Sequence, residues 1–153
     1  MAEKGNKTYM YDPEKVFKLS RGGIENYIKC NRCFYIDRKL NIANIKTPPW
    51  RLNTAVDSLL KTEFDSYRKK KEPHPYMKET GRNLIPYEHE DLDKWRANFT
   101  GVQYFDEELN FLLYGAVDDV WFDLDTEELI VVDYKATSTQ KEITLEDEWK
   151  ISY

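Results

Sequence analysis

Charged residues stand inside the two most apolar stretches of this 153-residue chain. Residues 110–123 read as one long strand, rich in Phe, Leu, Tyr, Val and Trp, yet they carry Asp118 and Asp119 in the middle, just after Gly115. Residues 129–136 read as a further strand. Its start (Leu129, Ile130, Val131, Val132) is continuously apolar and suits burial on both faces, and its end is Asp133, Tyr134 and Lys135. An ionised group is expensive to bury without a partner, so these charges need a reason. A glycine within a strand marks a bulge or a close backbone approach, and Gly115 holds that place.

The strand period sharpens the arrangement. Asp133 and Lys135 are two apart and share a face, while Tyr134 points the other way. Residues 123–128 (Asp, Leu, Asp, Thr, Glu, Glu) read as a turn. If the strands pair across it, the carboxylate of Asp118 approaches that of Asp133. Two hard carboxylates suit magnesium or manganese, and the backbone carbonyl of Tyr134 offers a third oxygen. Lys135 can position a water or offset charge on a phosphate. Such a set suits phosphodiester hydrolysis and needs no Ser, Cys or His nucleophile. A salt-bridged cluster of Lys135 with Asp118 or Asp133, serving only the fold, is the competing reading.

The rest of the chain supplies a frame. Residues 1–18 are polar and Tyr/Lys-rich and read as an extended arm. Ser20 is placed to cap a short helix over 21–30, with Ile24, Tyr27 and Ile28 at helical spacing. Phe34, Tyr35, Ile36 and Leu40 form an apolar run of undetermined type, closed by Pro48 and Pro49. Residues 52–68 are strongly helical: Val56, Leu59, Leu60, Phe64 and Tyr67 make one apolar stripe, bordered by Asp57, with Lys61 one turn further along the same side. The run Arg68, Lys69, Lys70, Lys71 suits a solvated helix C-terminus, or a patch that contacts phosphates. Residues 72–100 are loop-rich, with a short helical piece near 91–98. His74 and His89 within them read as solvent-exposed loop residues. A strand begins at Val102. After a polar loop over 138–142, Thr144 caps a last helix, with Asp147 in the capping-box position.

Composition excludes several classes. With 33% charged residues and a mean hydropathy of -0.77, no run of about 18 apolar residues exists to span a membrane. The 41% hydrophobic and 14% aromatic content is that of a chain with a core. A net charge of -5 argues against a protein that coats nucleic acid by charge alone. The two cysteines, Cys30 and Cys33, form one C-x-x-C, half a zinc site at most, and read as two small half-buried side chains. With no apolar signal region at the N-terminus, they point to a reducing, cytoplasmic compartment.

Gly115, Ala116, Val117 and Asp118, followed about fifteen residues later by Val131, Val132, Asp133, Tyr134 and Lys135, resemble the core of the PD-(D/E)XK nuclease superfamily. The order G-x-x-D, then a strand ending D/E-x-K, is that of its RecB-like branch, which includes CRISPR-associated and AddB-type exonucleases. Leu19 and Ser20, the helix after them, and Cys30, Cys33, Phe34 and Tyr35 resemble the opening of that branch, so the likeness runs over residues 19–137.

The resemblance implies an α/β, restriction-endonuclease-like core with a central mixed β-sheet flanked by helices, as one domain over 19–153. It implies that Asp118 and Asp133 hold Mg2+ or Mn2+ and that Lys135 is the catalytic lysine. The family's first motif is a helix with Gly, then His or an acid four residues on. Here Asn53 stands in the Gly place and Asp57 in the His place, a departure that still leaves an oxygen able to bind a hard cation, as a third ligand or a group that orients water. Asp119 stands where many members have Arg. Lys61, Arg68, Lys69 and Lys70 are the candidate nucleic-acid contacts. The implied partner is DNA, single-stranded or at double-stranded ends, with no membrane and with a helicase or a CRISPR or repair protein as companion. Members with a 4Fe-4S cluster use one N-terminal cysteine, matched by Cys30, and three near the C-terminus that this sequence lacks, so the cluster belongs to a longer chain. The helix that usually follows D-x-K, with a Gln and a Tyr, would break off at Tyr153, an incomplete C-terminal part. The departures at 57 and 119 and the short end favour a second function, an inactive nucleic-acid-binding or interaction module on the same fold. A third is a structural fragment that folds only with more chain or a partner.

Overall fold

The structure, a computed structural model, describes residues 10–42 and 51–135, with backbone alone for 51–53. The first nine residues of the arm, Pro48 and Pro49, the Asn53 side chain, Ala136, the 138–142 loop and the helix expected from Thr144 lie outside the described residues.

The chain enters through strand β1 (Phe17–Ser20), so Phe17 and Lys18 are already part of a sheet. Ser20 caps α1 (Arg21–Lys29) as its residue type suggests: its Oγ accepts the Gly23 N–H at 3.2 Å, satisfying one of the donors a helix start leaves open. The apolar run of undetermined type is a second helix, α2 (Asn31–Arg38). Cys30 caps it, its sulfur accepting the Cys33 N–H at 3.2 Å. The two cysteines are not separate thiols: their sulfurs are bonded to each other.

The long helix, α3 (Arg51–Lys70), runs a little beyond the expected limits at both ends. Then follow α4 (Pro75–Glu79), β2 (Leu84–Pro86), α5 (Leu92–Trp95), β3 (Val102–Asp106), β4 (Phe111–Gly115), β5 (Asp119–Asp123) and β6 (Leu129–Val132). Among the described residues no helix is long and apolar enough to cross a membrane.

The architecture is mixed α/β with two small sheets flanked by helices, consistent with a restriction-endonuclease-like core. One sheet is mixed, in the order β1-β4-β3, with β1 parallel and β3 antiparallel to β4. The other is antiparallel, in the order β2-β5-β6. Residues 110–123 are therefore not one strand. They divide at 116–118, where the Val117 N–H donates to the Trp95 carbonyl at 3.1 Å instead of continuing a ladder, and β4 and β5 join different sheets. The close approach expected at Gly115 is real, and Gly101 makes it possible. Gly101 has φ +56°, and a Cβ there would lie 2.3 Å from the Gly115 carbonyl oxygen.

The core lies between α3 and the antiparallel sheet. Phe64, Met77 and Leu84 are buried at its centre, with Leu60, Trp121, Ile130 and Tyr134 packed against them. His74 is part of this core, not a solvent-exposed loop residue. Its ring stacks on Phe64 at 4.1 Å between centroids, its Nδ1 accepts the Tyr76 N–H and its Nε2 donates to Glu63 at 3.1 Å. All the hydrogen-bonding groups of the buried ring are thereby used. His89 is half-buried and stacks on Trp95 at 4.3 Å.

Two apolar expectations change. Leu59 is exposed, so the stripe that α3 packs inward centres on buried Phe64, with Val56, Leu60 and Tyr67 half-buried beside it. Strand β6 is covered on one face only, because Leu129 and Val131 point outward. The turn between β5 and β6 is built as expected. Asp123 accepts the N–H groups of Asp125 and Thr126 and pairs with Arg82 at 2.6 Å. The Asp125 N–H foremost, with Thr126 and Arg82, outweighs burial and holds the Asp123 carboxyl below the ordinary carboxylate value.

Candidate metal and phosphodiester site

One residue further round α3 from the apolar positions 56, 60, 64 and 67 runs a charged row: Asp57, Lys61, Asp65 and Arg68. The spacing is the same, so the row lies along one side of the helix. It faces the start of β5, where Asp118 and Asp119 stand side by side. Each of the four makes ionic contacts, and the row divides into two parts.

The first part surrounds Asp118. In the ladder Asp119 is opposite Val132, so the register continued by one residue brings Asp118 across from Asp133. Asp118 Oδ2 accepts the Tyr134 N–H at 2.8 Å, joining it to the D-x-K segment as the strand pairing suggests. Its Oδ1 lies 3.3 Å from Lys61 Nζ, which also donates to Asp57 Oδ2 at 2.9 Å. Asp57 and Asp118, remote in sequence, thus share one ammonium. Asp133 and Lys135 are exposed and point away from Tyr134, as the period requires, with Lys135 Nζ 2.6 Å from Asp133 Oδ2.

The second part surrounds Asp119, which is 0% exposed. Its Oδ1 contacts the guanidiniums of Arg68 and Arg96, and its Oδ2 accepts the Tyr134 hydroxyl at 2.7 Å. Asp65 pairs with the same two arginines, and Arg96 Nε donates to the Asp118 carbonyl at 3.1 Å. Burial opposes the Arg96 charge, but the Asp119 and Asp65 carboxylates outweigh it and leave its pKa raised. Burial first, then the Asp119 carboxylate, pushes the Tyr134 phenol far above its ordinary value, so it stays protonated and donates. The cluster fixes both neighbours of the site, Asp118 through its carbonyl and Tyr134 through its ring.

The candidate residues are therefore only partly gathered. Asp57, Asp118 and the 133–135 segment meet where α3 crosses the β5–β6 ladder. Arg68 does not join the exposed basic run, because its guanidinium is buried against Asp119 and Asp65. Lys61 is engaged with two carboxylates. Lys69 and Lys70 are exposed, but they lie about 18 Å along α3 from Asp57 at 1.5 Å per residue. Cys30, the one cysteine matched to a cluster ligand, is bonded to Cys33. Arg96 and Asp65 were not singled out from the sequence. The repeat of charged positions along α3 was the available sign for Asp65, whereas Arg96 stands on a short loop-rich stretch that gave none.

Among the described residues no three His, Cys, Asp or Glu side chains come together as a metal-ligand group. The oxygens available are the carboxylates of Asp118 and Asp133 and the Tyr134 carbonyl, a hard donor set whose chemistry fits magnesium or manganese.

The sequence model of the PD-(D/E)XK nuclease superfamily matches residues 46–150, which takes in α3, the β5–β6 ladder and the D-x-K segment. No curated protein and no solved structure matches the chain. Members of that superfamily are in general nucleases, hydrolases that act on nucleic acid and typically use Mg2+ or Mn2+. The chain belongs to the PD-(D/E)XK nuclease superfamily.

Proposed function

We propose that this chain hydrolyses phosphodiesters of DNA in a reaction that depends on magnesium or manganese, in the exonuclease-like manner of the RecB-like branch. The observation that carries the reading is the hydrogen bond from the Tyr134 N–H to Asp118, which ties the aspartate of the G-x-x-D segment to the D-x-K segment at the end of one ladder.

Asp118, Asp133 and the Tyr134 carbonyl would hold the cation, with Asp57 as a further ligand or as the group that orients a water. The bound cation would supply charge stabilisation at the phosphoryl oxygens and lower the pKa of water. Lys135, beside Asp133, would offset negative charge that develops on the phosphate or hold the attacking water in place. Tyr134 works through its backbone, its ring being committed to the core and to Asp119. Exposed Lys69 and Lys70 would receive backbone phosphates further along the strand.

Cleavage of single- and double-stranded DNA with manganese tests this, with the parent chain compared with Lys135→Ala and Asp118→Ala. The expected outcome is a loss of about 100-fold or more in each variant. Equal activity in all three overturns it. A non-catalytic nucleic-acid-binding module on the same fold is the second reading, and the ammonium shared by Asp57 and Asp118 favours it, because that pairing offsets part of the carboxylate charge without a divalent ion. Oligonucleotide binding that needs no manganese, with no cleavage in any chain, would establish that alternative.

A further inference from the structure

We infer that Lys61 is a built-in competitor for the cation position at Asp118: its ammonium holds Asp57 and Asp118 together in the metal-free chain and gives way when a divalent ion arrives. This rests on the metal-site reading proposed above. It assigns Lys61 a role different from that of a simple phosphate contact.

Each carboxylate oxygen of Asp118 has one partner. Oδ2 accepts the Tyr134 N–H at 2.8 Å, and Oδ1 is 3.3 Å from Lys61 Nζ. Lys61 is anchored from the other side by Asp57 at 2.9 Å, one helical turn away on α3. A second cation on Asp118 would stand within a few ångströms of this ammonium, where like charges repel in a half-buried setting. Asp57, Asp118 and Asp133 contribute three negative charges, and Lys61 and Lys135 two positive ones, so the set carries one net negative charge. A divalent ion is attracted far more strongly once Lys61 has left Asp118. The lysine can leave, because it is a compact charge on a flexible four-carbon stem. Its side chain is 23% exposed, so water can receive it.

Two consequences follow from one exchange. Lys61 sets a threshold of cation concentration below which Asp57 and Asp118 stay paired through the ammonium. When the cation binds, the released ammonium is beside the site and able to meet a phosphate. Lys61 is thus a positioning residue that acts through Asp57 and Asp118.

The test measures cation binding, not turnover. Manganese affinity by calorimetry is compared in the parent, Lys61→Met and Lys61→Arg, with Asp118→Asn as the control and a thermal melt of each to establish folding. Lys61→Met is expected to bind manganese at least tenfold more tightly than the parent, Lys61→Arg no more tightly than the parent, and Asp118→Asn to lose the site. A second readout separates direct competition from a general change of charge. The Lys61 ammonium resonance in nitrogen-15 spectra should show slow proton exchange without metal and lose that protection at saturating magnesium. Lys61→Met with affinity equal to or weaker than the parent's, or an ammonium that stays protected in magnesium, overturns the competitor role and leaves the metal site standing. Folded parent and Lys61→Met chains that both bind no manganese overturn the metal-site reading itself, and the competitor role with it.

Discussion

Asp118 and Asp119 are adjacent carboxylates at the start of one strand, facing one row of α3, yet they are held in opposite ways. Asp119 is shut away from water and gripped by two guanidiniums and a phenol. Asp118 keeps a quarter of its side chain exposed, at 26%, and has a lysine and one backbone N–H as partners. Arginine's rigid fork suits a permanent buried pair, while lysine's single charge on a flexible stem suits one that exchanges. The alternation of the strand sends one carboxylate into the core and leaves the other at its rim. Asp118, the proposed metal ligand, keeps partners that can be replaced. A position meant to hold the frame uses partners that cannot.

The sharpest way to break this contrast is Asp119→Ala. It takes from Arg68 and Arg96 the fully buried one of their two shared carboxylates, leaving only the part-exposed Asp65, and a loss of about 3–5 kcal/mol is expected in chemical denaturation. A loss below about 1 kcal/mol would show that the buried cluster is not what fixes the frame.

Tyr134→Phe should be milder, about 1.5–3 kcal/mol, because it removes one hydrogen bond to a charged group. It also carries a pH signature. The folded phenol titrates above the unfolded value of 10.0, so the stability it contributes is fully present below pH 10 and is lost as pH rises beyond it. Denaturation midpoints measured from pH 9 upward should fall less steeply in the variant than in the parent. Parallel curves would mean that the phenol does not hold its proton in the fold.

Asp118→Asn should have the smallest effect on stability, about 1 kcal/mol or less, since its partner is a half-exposed lysine. A cost comparable to that of Asp119→Ala would place Asp118 in the frame and remove the contrast.

Much of the frame was legible because local rules wrote it. Ser20 caps its helix through its own side chain, the 3.6-residue period marks α3, and Asp123 builds the turn that brings Asp118 to the D-x-K segment. What escaped depends on partners far along the chain. The break at 116–118 is made by the Trp95 carbonyl, which no alternation of residues announces. Asp119 reads as an anomaly in an apolar strand until Arg68, 51 residues earlier, is set against it. His74 reads as a loop histidine until the ring of Phe64 is found beneath it. In the candidate site, the facing of Asp133 and Lys135 followed from strand period, whereas the ammonium between Asp57 and Asp118 joins residues 57 positions apart in Lys61 and Asp118. Leu59 lies next to the half-buried Leu60 and faces water, because a stripe defined by hydrophobicity alone is wider than the one the sheet covers.

The Asp119 cluster also constrains how the sequence can change. Asp119→Arg would crowd three guanidiniums around Asp65 alone, where two carboxylates now balance two, so it would be blocked while Arg68 and Arg96 remain. Asp119→Arg and a change of Arg68 or Arg96 should therefore be strongly non-additive when made singly and together.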